Sequence, residues 1–398
     1  MAQDRTSIPS AQEIRASMPD AVRRNSYLTG FLMALPGIAV YTLSVIAIVV
    51  TPFWAWLLLI PLAALGVTMM FVVSHDAAHD SLTPSRTLNR FLARVLFLPS
   101  WHSCSGWIHA HNHVHHGWTN YQPRDYVWSP MSLEEYEKRS AFGKWWVRLC
   151  RSWPGYGFYY GVEVLLKKIL VIQPEVKQPR MRRIWMFDNL LVLSGAIGQA
   201  ALTIYAARAA GIETHPAVLI LGTQVIPGML AQWIVGFLTY LHHTHPSTPW
   251  FNDIDQWSFY MGQVRGTTHI SFPKYIDRLL FNIMEHTAHH VDQRIPLYKL
   301  EVAQAALEES YDPVHFQFGY RNLLYTQRVC QLYDFKEHYW LSYDGKQTSS
   351  RTVSEELLNR VVSARRGRRS NNAAVAVEEQ SPEEFAEAIG APSVGGQV

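Results

Sequence analysis

The chain has 398 residues and a net charge of +3, long enough for one large domain or two ordinary ones and too mildly basic to point to nucleic acid. Its bias lies in 13% aromatic residues, 14 Trp and 18 His, against only 17% charged residues. Three widely spaced cysteines, Cys104, Cys150 and Cys330, make neither a CxxC metal site nor a disulfide framework, which points to a reducing compartment.

In chain order, residues 1–27 read as a cytoplasmic amphipathic segment in which AQEIRASMP is helical and interfacial. The polar character of this segment argues against a cleaved leader. Residues 28–50 and 52–73 then carry no charge and are separated only by Thr51, so they predict a helical hairpin of two membrane spans. Each matches the ~20 apolar residues a bilayer core requires. A second pair is predicted at about 186–207 and 217–240, joined by a short link around Arg208–Pro216. The mean hydropathy of −0.05 conceals these spans because a polar body dilutes them.

Orientation follows from Lys and Arg placement. Arg23 and Arg24 precede the first span, while Lys167, Lys168, Lys177, Arg180, Arg182 and Arg183 precede the third. The links inside the two hairpins hold a single basic residue, Arg208, so both termini and the long middle segment are expected on the cytoplasmic side. Two stretches of that middle segment, residues 91–101 and 155–172, are apolar but too short or too charged to span, and suit helices lying in the interface. The membrane domain is expected over 28–345. Residues 346–398, with the basic run Arg365, Arg366, Arg368 and Arg369 and an acidic small-residue end, read as a disordered tail whose basic run suits either anionic lipid headgroups or solvent.

Four histidine clusters carry the chemistry, all on the cytoplasmic side of this scheme. HDAAHD places His75 and His79 at an i, i+4 spacing just beyond the second span, on one helix face. In HNHVHH, α-helical winding puts His111 and His115 on a shared face and His116 about 100° away. HHTH (His242, His243, His245) follows the fourth span, and HTAHH supplies His286, His289 and His290. A structural zinc site needs four ligands and a catalytic one about three, so eight or nine histidines suit two metals instead. No HExxH zinc-protease motif and no ExxH di-iron motif of the soluble carboxylate type is present. Two irons at a bilayer surface, activating O2 against an unactivated C–H bond, are the reading these residues favour.

HDAAH, HNHVHH and HTAHH, in this order and flanked by paired spans, resemble the three histidine boxes of membrane fatty acid desaturases and hydroxylases. FLTYLHHTHPSTPW (237–250), RIPLYKLEVAQAAL (294–307) and IRASMPDAVRRNSY (14–27) extend the resemblance to acyl-lipid desaturases of the Δ12/omega-6 type, over roughly residues 10–330. Two positions depart from that group: Ala77 and Ala78 stand where Cys-Gly is usual, and three residues separate His111 from His115 where the plant-type pattern has two, leaving His113 as an alternative to His111. The resemblance implies that His75, His79, His111, His115, His116, His286, His289 and His290 bind two iron ions and form the catalytic set. It also implies one further ligand after the fourth span, His243 first and His245 second. His102, His109, His269, His315 and His338 are left as hydrogen-bonding or surface residues, and His215 lies in the far link.

Asp76, Asp80, Asp125, Glu285 and Asp292 are near enough in sequence to accept the second N–H of ligating imidazoles. Trp107, Trp118 and Asn120 flank the second box as candidate walls of the site. The implied fold is an all-α integral membrane protein with four spans in two hairpins and a cytoplasmic helical cap holding the di-iron site. The implied reaction removes two hydrogens from a long acyl chain, held as acyl-lipid or acyl-thioester, with O2 as co-substrate. Electrons must come from outside, because the chain has no CxxC, GxGxxG or HPGG signature. Ferredoxin, or cytochrome b5 with its reductase, is the expected donor, and the bacterial inner membrane the expected location. An acyl hydroxylase or acetylenase on the same scaffold is the alternative. A His-rich metal transporter is disfavoured, since only Gln199, Gln224 and Gln232 interrupt the last two spans.

Overall fold

The computed structural model describes residues 8–371 and is mostly helical. Four helices are long and apolar enough to cross a membrane: Tyr27–Val50, Phe53–Ala78, Pro179–Ala209 and Pro216–His243. All four sit where the apolar runs predicted them. The second runs five residues past the expected end and the fourth three past it, so His75 and His243 ride on the spans' own final turns. Small residues explain the continuation of the second: Ala77 and Ala78 are wholly buried and let the last turn enter the packed body.

The first and second long helices approach closely at two glycines. A Cβ on Gly37 would stand 2.9 Å from the Met70 amide, and one on Gly66 would stand 2.6 Å from that of Tyr41. Small residues at such crossings replace the hydrophobic drive that lipid removes. The outward faces keep large apolar side chains uncovered, among them Leu28, Leu43 and Val50 on the first helix and Leu193, Ile197 and Leu202 on the third. Exposed apolar area on this scale requires a non-aqueous neighbour.

The residues between the spans fold as shorter helices. The helix Arg86–Phe97 covers the first part of 91–101 and begins ahead of it, and 155–172 holds a π-helix, Tyr159–Leu170. Arg94 on the former pairs with Asp188 of the third long helix at 2.7 Å, and Asp188 also accepts from the Ser105 amide at 2.9 Å, which satisfies an otherwise buried charge. Two small sheets interrupt the otherwise helical body. Strand β1 (Thr268–Ser271) pairs in parallel with β2 (Val314–Gln317), and β3 (Leu332–Asp334) pairs antiparallel with β4 (Tyr339–Leu341).

At the N-terminal end the expected helix is present, and at the C-terminal end the expectation of a disordered tail is corrected. The helix Ala11–Ala16, started by a reciprocal Ser10–Glu13 capping box, turns its apolar face into the protein: Ile14 is fully buried. Arg15 donates to the Val291 carbonyl and Arg23 to Asp292, so this segment straps the third histidine box. At the other end, residues 346–371 are folded. A helix over Glu355–Asn371 buries Val361 beside Val353, Phe251 and Met261. Arg365 donates to the Trp257 carbonyl. Buried apolar contacts, absent from any compositional reading of a basic run, decide the difference. The remainder of the expected tail, residues 372–398, lies outside the described residues.

Candidate metal centre

The histidines converge where the second and fourth long helices end. His75, His79, His111 and His289 present one nitrogen each into one group, and His115, His243, His286 and His290 into another, with the nitrogens of each group within 4.8 Å of one another. His116 closes the first group: its Nε2 lies 3.0 Å from His111 Nε2 and 3.2 Å from His289 Nε2. All nine predicted positions are therefore brought together. His245 is not among them; its ring lies against Phe316 and its Nδ1 accepts from the Ser247 amide. His113 also stands outside both groups, whereas His111 belongs to the first.

The split within the second box corrects the expected winding. Residues Ile108–His115 form a π-helix, and the His116 amide donates to the His111 carbonyl five residues back. His111 and His116 consequently share a face, while His115 turns to the other group. The third box divides as well: His289 joins His75 and His79, whereas His286 and His290 join His115 and His243.

Each group fits a cation by chemistry and by geometry. Nε2 of His243 faces Nε2 of His115 at 3.2 Å and Nε2 of His286 at 3.0 Å, with no acid between them. Nitrogens bonded at about 2.0–2.1 Å to one tetrahedral ion stand about 3.3 Å apart, so only small shifts are needed. Burial first, and then repulsion from neighbouring imidazoles, holds His111, His116, His286 and His290 well below the usual histidine range. Burial likewise holds His289 at about 3. The rings are thus neutral, with lone pairs available. His79 Nε2 and His290 Nε2 are buried with no hydrogen-bond partner, which suits atoms placed to bind a cation.

Three rings are held from behind. His115 Nδ1 donates to Asp125 Oδ1, His290 Nδ1 to Gln263 Oε1 and His79 Nδ1 to Gln293 Oε1, each at 2.9 Å. These bonds fix the tautomer that leaves Nε2 free. Of the five acids expected in this role, only Asp125 takes it. Asp76 binds Ser81 and the Leu297 amide, Asp80 binds Arg86 and Arg90, Asp292 binds Arg23 and Arg294, and Glu285 faces His269. Adjacency along a helix turns a neighbouring side chain away from the ligand's own direction, so the helpers come from elsewhere. Sequence reasoning missed Gln263 and Gln293 for this reason; only Gln293, three residues after His290, carried a positional hint. It also passed over His242, whose ring stacks on His286 at 3.8 Å.

Trp107 does wall the site, stacking on His111 at 4.2 Å. Asn120 supports it through its amide, which donates to Asp125 Oδ2 at 2.9 Å. Trp118 instead packs on Trp257 and under Arg124. The histidines excluded from the ligand set are hydrogen-bonded as expected where they are buried: His102 to Ser100 and Tyr160, and His338 to Gln256. Beside the histidines opens a cavity whose lining includes His75, His111, His115, His242, His243 and His286. Phe71, Val72, Val164, Val235, Leu238 and Ile283 give it an apolar wall.

Four apolar helices with two buried all-histidine groups where the second and fourth end define an integral membrane protein with a candidate metal site. The family model for fatty acid desaturases matches residues 51–321, more than half of the chain, and the chain belongs to that family. It is an oxidoreductase, a membrane fatty acid desaturase. An sn-1 oleoyl-lipid 12-desaturase of Picosynechococcus sp. is 27% identical over 73% of this chain and 81% of its own length. The chloroplastic omega-6 fatty acid desaturase of Arabidopsis thaliana is 26% identical over 82% of this chain and 70% of its own. The sn-1 oleoyl-lipid 12-desaturase of Arthrospira platensis is 23% identical over 82% and 90%.

Proposed function

We propose that the chain inserts a double bond into a long acyl chain at a Δ12-like position, using two irons held by the nine converging histidines. The observation that carries this reading is the juxtaposition of the double cage with an apolar cavity between the second and fourth long helices. The relatives named 12-desaturase and omega-6 desaturase support the position of the bond. His75, His79, His111, His116 and His289 hold one iron; His115, His243, His286 and His290 hold the other. Bound iron supplies O2 activation and the one-electron steps that no side chain can carry.

The protein's own residues do the rest. Asp125, Gln263 and Gln293 each fix a ligand tautomer, so the cage is rigid before any substrate arrives. Val72, Val235 and Leu238 exclude water and keep an acyl chain extended past His242 and His243. The spans form two hairpins, and the segments following them form a cytoplasmic cap in which the chain's termini also lie. A bacterial inner membrane, an acyl-lipid or acyl-thioester substrate, and ferredoxin or cytochrome b5 with its reductase as donor complete the proposal.

Expression in a host lacking polyunsaturated lipids, followed by mass spectrometry of its fatty acids, tests it. A new double bond on the methyl side of an existing one is expected. A hydroxyl or triple bond would assign the scaffold to the alternative reactions, and an unchanged profile in protein loaded with iron would overturn the proposal.

A further inference from the structure

A second kind of donor cluster lies outside the nine histidines. His269 on β1 and His315 on β2 stand directly opposite each other in the parallel register. Their rings are 4.4 Å apart, with His269 Nδ1 3.2 Å from His315 Nε2. Both nitrogens converge on one oxygen of Glu308, at 2.5 Å and 2.9 Å, at the end of the helix Leu300–Ser310. Gln304 Nε2 also donates to that oxygen at 2.8 Å. Behind His269, Glu285 Oε2 lies 2.9 Å from Nε2. The cluster faces water: the His315 side chain is 49% exposed and that of Glu308 28%.

From this geometry we infer a third metal site, built from His269 Nδ1, His315 Nε2 and a Glu308 carboxylate oxygen, that takes a zinc-class divalent ion. The inference is independent of the proposed reaction. Two imidazoles and one carboxylate are a donor set zinc accepts, with a fourth position open to solvent. The three donor atoms stand 2.5–3.2 Å apart, against about 3.3 Å for the edge of a coordination tetrahedron, so the partly exposed Glu308 carboxylate moves outward to admit the ion. Glu285 stands where a ligating histidine keeps its outer carboxylate, against the ring nitrogen that points away from the ion. The ion takes the place of the proton that His269 Nδ1 shares with Glu308.

The site has a structural consequence. His269 and His315 belong to a two-stranded parallel pair of only four residues each. A bridging ion staples β1 to β2 and to the preceding helix. Glu285, fastened to the same His269, immediately precedes His286 of the second histidine group. Occupancy of the surface site therefore stiffens the approach to the third histidine box.

The test is equilibrium dialysis of detergent-solubilised, iron-loaded protein against zinc chloride, with zinc and iron both quantified. One zinc per chain is expected to bind without release of iron. His315→Ala, half exposed and so tolerated by the fold, is expected to weaken that zinc by about 10–100-fold while iron content and elution volume stay unchanged. Glu308→Gln should weaken it similarly. Zinc that binds only as iron leaves, or that binds equally to the parent, His315→Ala and Glu308→Gln, overturns the site.

Discussion

His116 Nε2 lies 3.0 Å from Nε2 of His111, although five residues separate the two and His115 stands between them in sequence. The π-helix Ile108–His115 creates this relationship, because i→i+5 winding stacks positions that α-helical winding would hold apart. Its effect is to let one short helix serve both histidine groups: two rings to one side and His115 to the other. π-Winding is costly and persists where function over-determines it.

The assignment of rings to groups predicts different metal contents for different variants. His289→Ala removes a donor from the first group and is expected to bring bound iron from two per chain toward one, with loss of product. His245→Ala, whose ring packs on Phe316, should retain both irons and activity. Iron analysis of the purified proteins beside fatty acid profiles checks this, and an iron loss in His245→Ala would reverse the choice of His243.

Asp125→Asn keeps the shape of the side chain but weakens its grip on the His115 imidazole, which now rests on a 2.9 Å bond to Oδ1. Loss of that orienting carboxylate is expected to lower iron affinity or turnover by about 10–100-fold. Asp80→Asn, whose partners are Arg86 and Arg90, should leave iron affinity in place. Iron retention against a graded chelator series separates the two.

Val235 lines the apolar cavity at a distance of two helical turns from His242 and His243. Val235→Trp fills part of that volume, and the expected outcome is a shift of product toward shorter acyl chains with iron content preserved. An unchanged chain-length profile would place the substrate elsewhere.

The folded segment after residue 346 makes a stability prediction. Val361 is 2% exposed among Phe251, Met261 and Val353. Val361→Asp buries a carboxylate in that cluster, at a cost of roughly 2–4 kcal/mol. A lowered thermal midpoint in detergent is expected. A midpoint equal to the parent's would mean that this helix contributes nothing to the fold.

Much of the site was legible because metal chemistry leaves few options. HDAAH, HNHVHH and HTAHH recur at the ends of apolar runs, and eight of their histidines, together with His243 of HHTH, meet in space, while His113 stands aside. Asp125 was legible in the same way, since a carboxylate near a ligating imidazole is the common arrangement. Gln263 was not: it lies in an unremarkable stretch, and only folding brings its Oε1 to 2.9 Å from His290 Nδ1.

What the sequence by itself determined follows from properties that need no partner. Uncharged runs of span length specify transmembrane helices because an unpaired backbone is intolerable in lipid. Imidazole density points to a metal. What only the tertiary structure decided depends on contacts between distant segments. The division of the histidines into five and four rests on π-winding and on the meeting of His243 with His115 and His286. The folding of residues 346–371 rests on burial of Val353 and Val361 against Phe251. Composition registers neither, because a ring's partner and a side chain's burial are set by the local winding and by residues tens to more than a hundred positions away.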